Sequence, residues 1–351
     1  MYMKKICLKH ISVVLTLFVV LTLLASCSGQ DTAESVDDPG RPIEIGLTFD
    51  SLVIERWERD RDVFVSTAKD LGVEVNVQNA NGDVNTQISQ IEYFIQKKVK
   101  AIVVVATDCN ALSDVIAKAH RAGIKVISYD RLIENANTDL FVSFDNNKVG
   151  ELMAEGIVSQ TGGNGDILMV CGPLTDSNVP SVIQGFEEGI EGSGLNTVKV
   201  WHCAGWKPEY AFDYVSTYLN ENPDAPPAAI MCGNDSIAGQ TIRALSEKKL
   251  AGEITVTGQD AELEACQRIV EGTQYMTVYK PVEKLAQRAA VLTVDLIKNG
   301  KADTEDTISD GTYNVPYESL DPIMVTSDNM DEVIIGTFHQ KGEVYLNVKE
   351  E

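Results

Sequence analysis

Ala101-Ile102-Val103-Val104-Val105-Ala106 (AIVVVA) is a run with no polar residue and no alternation. A strand of this kind hides both faces, which requires a parallel sheet covered by helices on each side. Working outward, residues 85–97 place Ile88, Ile91, Phe94 and Ile95 at helical spacing, and residues 111–122 form a second amphipathic stretch. Residues 125–129 are the next strand. Residues 43–49, 73–77 and 140–144 read as further strands, and 55–71 as a helix. Gly72 and Gly123 stand just past two of the helices, where chains favour glycine. The same alternation restarts after Asn146, with strands at 165–170, 197–202, 228–232 and 253–257. Helices are expected at 182–190, 209–220 and 236–248, and a long last helix at 281–299. The expected class is α/β, two doubly wound parallel-sheet lobes.

The N-terminal segment is a targeting signal. Lys4, Lys5 and Lys9 precede an apolar run over residues 11–24 that is shorter than the ~20 residues of a membrane-spanning helix. Leu24-Ala25-Ser26-Cys27 resembles the bacterial lipoprotein box. The expectation is a signal peptide over 1–26, lipidation at Cys27 and a flexible polar tether over 27–42. That places the chain on the outer face of the cytoplasmic membrane.

Without the three leader lysines the net charge falls from −23 to about −26. An anionic surface of this size argues against nucleic acid or anionic lipid as a partner. Cys109, Cys171, Cys203, Cys232 and Cys266 are irregularly spaced with no CxxC, so neither a metal site nor a disulfide framework is indicated. Buried free thiols are expected. His120, His202 and His339 have no ligand spacing and no evident carboxylate partner, and His120 reads as a surface residue. There is no P-loop and no nucleophile elbow. The expectation is a binding protein without catalytic residues, cofactor or metal.

Polar residues collect instead at the C-terminal ends of the expected strands, where open α/β sheets bind ligands. These are Ser128–Arg131, Ser143–Asn147, Thr175–Asn178, Gly205-Trp206, Gly233–Asp235 and Gly258–Asp260. Any one Asp or Asn there serves equally as a turn or helix cap, Asp176 and Asp235 in particular. Taken together the mixture suits a polyhydroxylated, uncharged ligand, because hydroxyls pair with both donors and acceptors. Trp57 and Trp206 come from different lobes and could cover both faces of one sugar ring. The charged neighbours of Trp57 argue against simple burial.

At these residues the chain resembles the periplasmic pentose- and hexose-binding proteins of ABC importers. The resemblance runs through Glu55-Arg56-Trp57, Asp60-Arg61-Asp62, Asn79–Gly82, Tyr129-Asp130-Arg131 and Ser143–Asn146. It continues through Gly205-Trp206, Pro208-Glu209, Asn234-Asp235, Thr257–Asp260 and Met276–Pro281. It implies a type I periplasmic binding fold with a three-crossing hinge, a monosaccharide ligand (D-xylose foremost) and an ABC permease as partner. Trp57 and Trp206 would sandwich the pyranose. Arg56, Asp130, Arg131, Asn178, Asn234, Asp260 and Lys280 would hydrogen-bond it. The first lobe would hold 43–145 plus 281–311 and the second 146–280 plus 312–351, with crossings near Asp145, Tyr279 and Tyr313. A sensor role, presenting the closed form to a membrane histidine kinase or chemoreceptor, would use the same cleft. One departure stands out: Val179-Pro180-Ser181-Val182-Ile183 replaces the basic and aromatic residues that often follow Asn178 in the family.

Overall fold

The computed structural model describes residues 42–348, which belong to one compact unit. The leader, Cys27 and nearly all of the tether lie outside them. The first sheet is built from β1 (Glu44–Phe49), β2 (Glu74–Asn79), β3 (Ala101–Val104), β4 (Lys125–Tyr129) and β5 (Leu140–Phe144). All five run parallel, and every residue of β3 is buried, as AIVVVA requires. Helices α1 (Arg56–Asp70), α2 (Val84–Lys97) and α3 (Ser113–Arg121) connect them. The order β5-β4-β3-β1-β2 reverses between β3 and β1, and that switch point opens a crevice at the strand ends.

The second sheet has β6 (Asn164–Cys171), β7 (Gly194–His202), β8 (Ala229–Cys232), β9 (Thr255–Gln259) and β10 (Met276–Tyr279). Its order β10-β9-β8-β6-β7 reverses between β8 and β6, giving a matching crevice. Helices α4 (Asn146–Thr161), α5 (Asn178–Ile190), α6 (Glu209–Glu221), α7 (Asp235–Glu247) and α8 (Leu263–Val270) belong to this half. The long α9 (Val282–Asn299) leaves the second sheet after Tyr279 and packs on α1 of the first.

The last crossing falls later than the sequence indicates. β11 (Asp306–Ser309) and β12 (Asn314–Leu320) form an antiparallel hairpin, and β12 pairs with β5 in the first sheet. The chain therefore changes lobe at Asp321-Pro322, not near Tyr313, and β13 (Ile323–Val325) pairs antiparallel with β10. Among the elements that escape the sequence pattern are α4, α8, β10, β13 and the β11–β12 hairpin. Among the described residues no helix is long and apolar enough to cross a membrane.

Candidate functional site

The C-terminal ends of the strands of both sheets face one cavity. Eight of the nine residues singled out from the sequence line it: Arg56, Trp57, Asp130, Arg131, Asn178, Trp206, Asp260 and Lys280. Three cations (Arg56, Arg131, Lys280) and three carboxylates (Asp130, Asp176, Asp260) share its wall, so the lining charges cancel.

The first lobe contributes a chain of buried ion pairs. Arg56 opens α1 and holds Asp60, one helical turn on, through two bonds of 3.0 and 3.1 Å. It also meets Asp130 at 2.8 Å. The Tyr129 hydroxyl donates to Asp60 as well. Burial alone would raise the Asp130 carboxyl, but Arg56, Lys280 and Arg131 outweigh it and hold it below the usual range. Asp60 goes the other way, because its burial outweighs Arg56. Arg131 donates to Asp50 at 2.7 Å and to the Ala106 carbonyl at 3.0 Å.

Several contacts run from lobe to lobe. Arg131 Nε lies 2.7 Å from Asp176 Oδ2, an ion contact outside hydrogen-bond alignment. Asn178 donates to Asp130 at 3.2 Å, and the Leu132 N–H donates to Ser177 Oγ at 2.7 Å. The Cys109 N–H reaches the Thr175 carbonyl at 2.9 Å. The lobes therefore meet along one side of the cavity.

Asp176 reads from the sequence as a strand-end polar residue that serves equally as a helix cap. Its Oδ1 does accept from the Asn178 N–H, yet Oδ2 accepts from the Trp206 indole at 3.1 Å and faces Arg131. It joins the Trp206 ring of one lobe to a cation of the other. Trp206 itself has φ 57°, and Asp130 and Asp260 have φ 64° and 97°. Left-handed backbone at three non-glycine site residues costs on the order of 1–3 kcal/mol each, held by surrounding structure. Gly172 makes room for the ring: a Cβ there would lie 2.3 Å from Trp206.

Trp57 is buried in spite of its charged neighbours. Arg56 stacks at 4.5 Å on its ring, which turns the charge next door into a packing partner. Its indole N–H is buried without a partner. At the other end Lys280 Nζ stands 2.7 Å from Asp260 Oδ1, again outside hydrogen-bond alignment, so that oxygen keeps an open lone pair. Gln259, which the sequence did not single out, also lines the cavity; its amide donates to the Gly233 carbonyl and its Oε1 is an unpartnered buried acceptor. A donor and two acceptors left open beside one cavity are what a polyhydroxylated guest would complete.

Asn234 is the exception among the nine. It is the N-cap of α7, its Oδ1 accepting from the Ile237 N–H, and it does not line the cavity, although its Nδ2 is buried without a partner. Asp235, expected to cap that helix, lies one residue inside it. Its carboxylate accepts from Gln274, Thr277 and the Glu262 N–H. The five cysteines of the described residues are free and buried. His120, expected at the surface, is half-buried with its ring 3.2 Å from Asp139. Among the described residues no group of His, Cys, Asp and Glu is placed to hold a metal ion.

Comparison with known proteins bears on the family and the fold. The family model described as "Periplasmic binding protein domain" matches residues 45–302. The D-xylose-binding periplasmic protein of Haemophilus influenzae is 40% identical over 339 residues, 95% of this chain and 98% of that protein. Its Escherichia coli K12 counterpart is 38% identical, covering 87% and 93%. Among solved structures, an ABC transporter solute binding protein of Clostridium phytofermentans with bound β-D-glucose superposes with a TM-score of 0.78 at 28% identity. The match covers 86% of this chain and 99% of that one. The chain therefore belongs to the periplasmic binding protein family, with its two-lobed type I fold.

Proposed function

We propose that this protein captures a monosaccharide, D-xylose foremost, between its lobes and delivers it to an ABC permease. The observation that carries the proposal is a charge-balanced cavity at the switch points of both sheets, with Trp57 and Trp206 in its wall. A pyranose offers apolar C–H faces to flat rings and hydroxyls to the charged rim. An uncharged guest leaves the buried ion pairs intact, which a charged one would not. Closure follows from differential contacts, since a guest touching both lobes favours the state in which they meet. That the similar Clostridium phytofermentans structure is an ABC transporter solute binding protein supports import over sensing. Cys27 would carry the lipid that keeps the protein on the outer face of the cytoplasmic membrane. Cys27→Ser would then release the protein and abolish fatty-acid labelling; retained labelling would refute the anchor.

A thermal-shift screen against a panel of pentoses and hexoses tests the main proposal. D-Xylose should raise the melting temperature in a concentration-dependent manner, by mass action on the folded state. A panel with no stabilising monosaccharide would overturn it.

A further inference from the structure

One wall of the cavity carries no hydrogen-bonding group. Val179, Val182 and Ile183 stand at i, i+3 and i+4 on α5, so one helical face presents all three to the cavity, and Met231 and Ile54 also line it. Val179 and Val182 are buried. The polar residue that α5 gives the cavity is Asn178, whose Oδ1 accepts from Asn146 and whose Nδ2 donates to Asp130. Beside the Trp57 and Trp206 rings, the rest of the lining carries the polar side chains of Arg56, Asp130, Gln259, Asp260 and Lys280.

Resting on the sugar reading above, we infer that the α5 wall sets specificity. It selects pyranoses whose ring C5 bears no hydroxymethyl group, and it admits 6-deoxyhexoses as a second ligand class. An aldopentopyranose carries hydroxyls on C1 to C4 and a CH2 at C5 whose only oxygen is that of the ring, so its one carbon without a hydroxyl matches the apolar face of α5. A hexopyranose replaces that CH2 by a carbon bearing CH2OH, whose hydroxyl would be buried against Val182 and Ile183 without a partner. A buried unpaired hydroxyl weakens binding roughly five- to a hundredfold. A 6-deoxyhexose carries a methyl group there and needs no partner.

The test is titration calorimetry with D-xylose, 6-deoxy-D-glucose and D-glucose, which share ring stereochemistry at C2 to C4. The expected order of affinity is D-xylose first, then 6-deoxy-D-glucose, with D-glucose about tenfold or more below D-xylose. Val182→Thr, which keeps shape and adds a hydroxyl, should narrow the gap between the last two at least threefold. D-Glucose binding as tightly as 6-deoxy-D-glucose in the unmodified protein would overturn the inference while leaving the sugar reading intact, and so would an unchanged gap in a folded Val182→Thr variant. Failure of all three sugars to bind would overturn both.

Discussion

In the first lobe Asp60 and Asp130 share Arg56, and Asp50 faces Arg131, whereas in the second lobe Asp235 and Glu262 are buried beside each other without such a partner. Gln274, Thr277 and Ser236 donate to that pair, and the nearest cation, Arg268, bonds the Asp235 carbonyl instead of its carboxylate. Among the described residues neither carboxylate forms a salt bridge. Burial, with Asp260 adding to it, pushes Asp235 up to about 7; burial and then Asp235 push Glu262 up to about 8. Asp130 is instead held below its ordinary value, its own burial being outweighed by Arg56, Lys280 and Arg131. Among the cation-paired carboxylates of the cleft Asp130 is held down, while burial outweighs the cation at Asp60 and Asp176 and raises both. The neutral-donor pair behind the cleft makes stability depend on pH near neutrality.

The largest effect expected from this contrast is on the paired side. Arg131→Met would leave Asp50 and Asp176 buried without their cation, costing about 3–5 kcal/mol of unfolding free energy by denaturant titration. A loss well under 1 kcal/mol would break the contrast. Next comes Asp260→Ala, which strands Lys280 and removes an open acceptor of the cavity; affinity for D-xylose should fall well over tenfold by calorimetry. Gly172→Ala should be milder, because it only shifts the Trp206 ring: affinity drops about tenfold with little change in melting temperature.

The smallest effect is on the unpaired side. Carboxyls raised in the folded state bind more protons folded than unfolded between the ordinary carboxylate range and about 7–8. Their contribution therefore falls as pH rises through that window. Glu262→Gln should flatten this part of the profile, by roughly 2 °C in melting temperature between pH 5.5 and 8. A variant that tracks the unmodified protein at both pH values would show that the pair is not responsible.

Strands buried on both faces were legible in the sequence because nothing polar interrupts runs such as Ala101–Ala106. The α4 helix was not, because Gly150 and Gly156 weaken its pattern. Gly150 serves packing: a Cβ there would lie 2.0 Å from the Val182 carbonyl, so α4 and α5 approach closely. The β11–β12 hairpin is half exposed and short, and carries little hydrophobic signal. Of the nine site residues expected from the sequence, eight line the cavity: strand-end positions point to Asp130, Arg131, Asn178, Trp206 and Asp260, whereas Arg56 and Lys280 rest on the family resemblance alone. Asp176 and Gln259 take their partners from segments distant in the chain, which spacing does not encode, and Asn234 caps its helix with the same residue type that a ligand contact would use. The left-handed backbone at Asp130, Trp206 and Asp260 is likewise invisible in sequence.

The central claim is that a sugar lies between Trp57 and Trp206. Titration calorimetry of D-xylose into the unmodified protein and the Trp57→Ala/Trp206→Ala double variant tests it most directly. One saturable site per chain, abolished in a folded double variant, is predicted. Equal affinity in the two proteins, or no binding to the unmodified one, would contradict it.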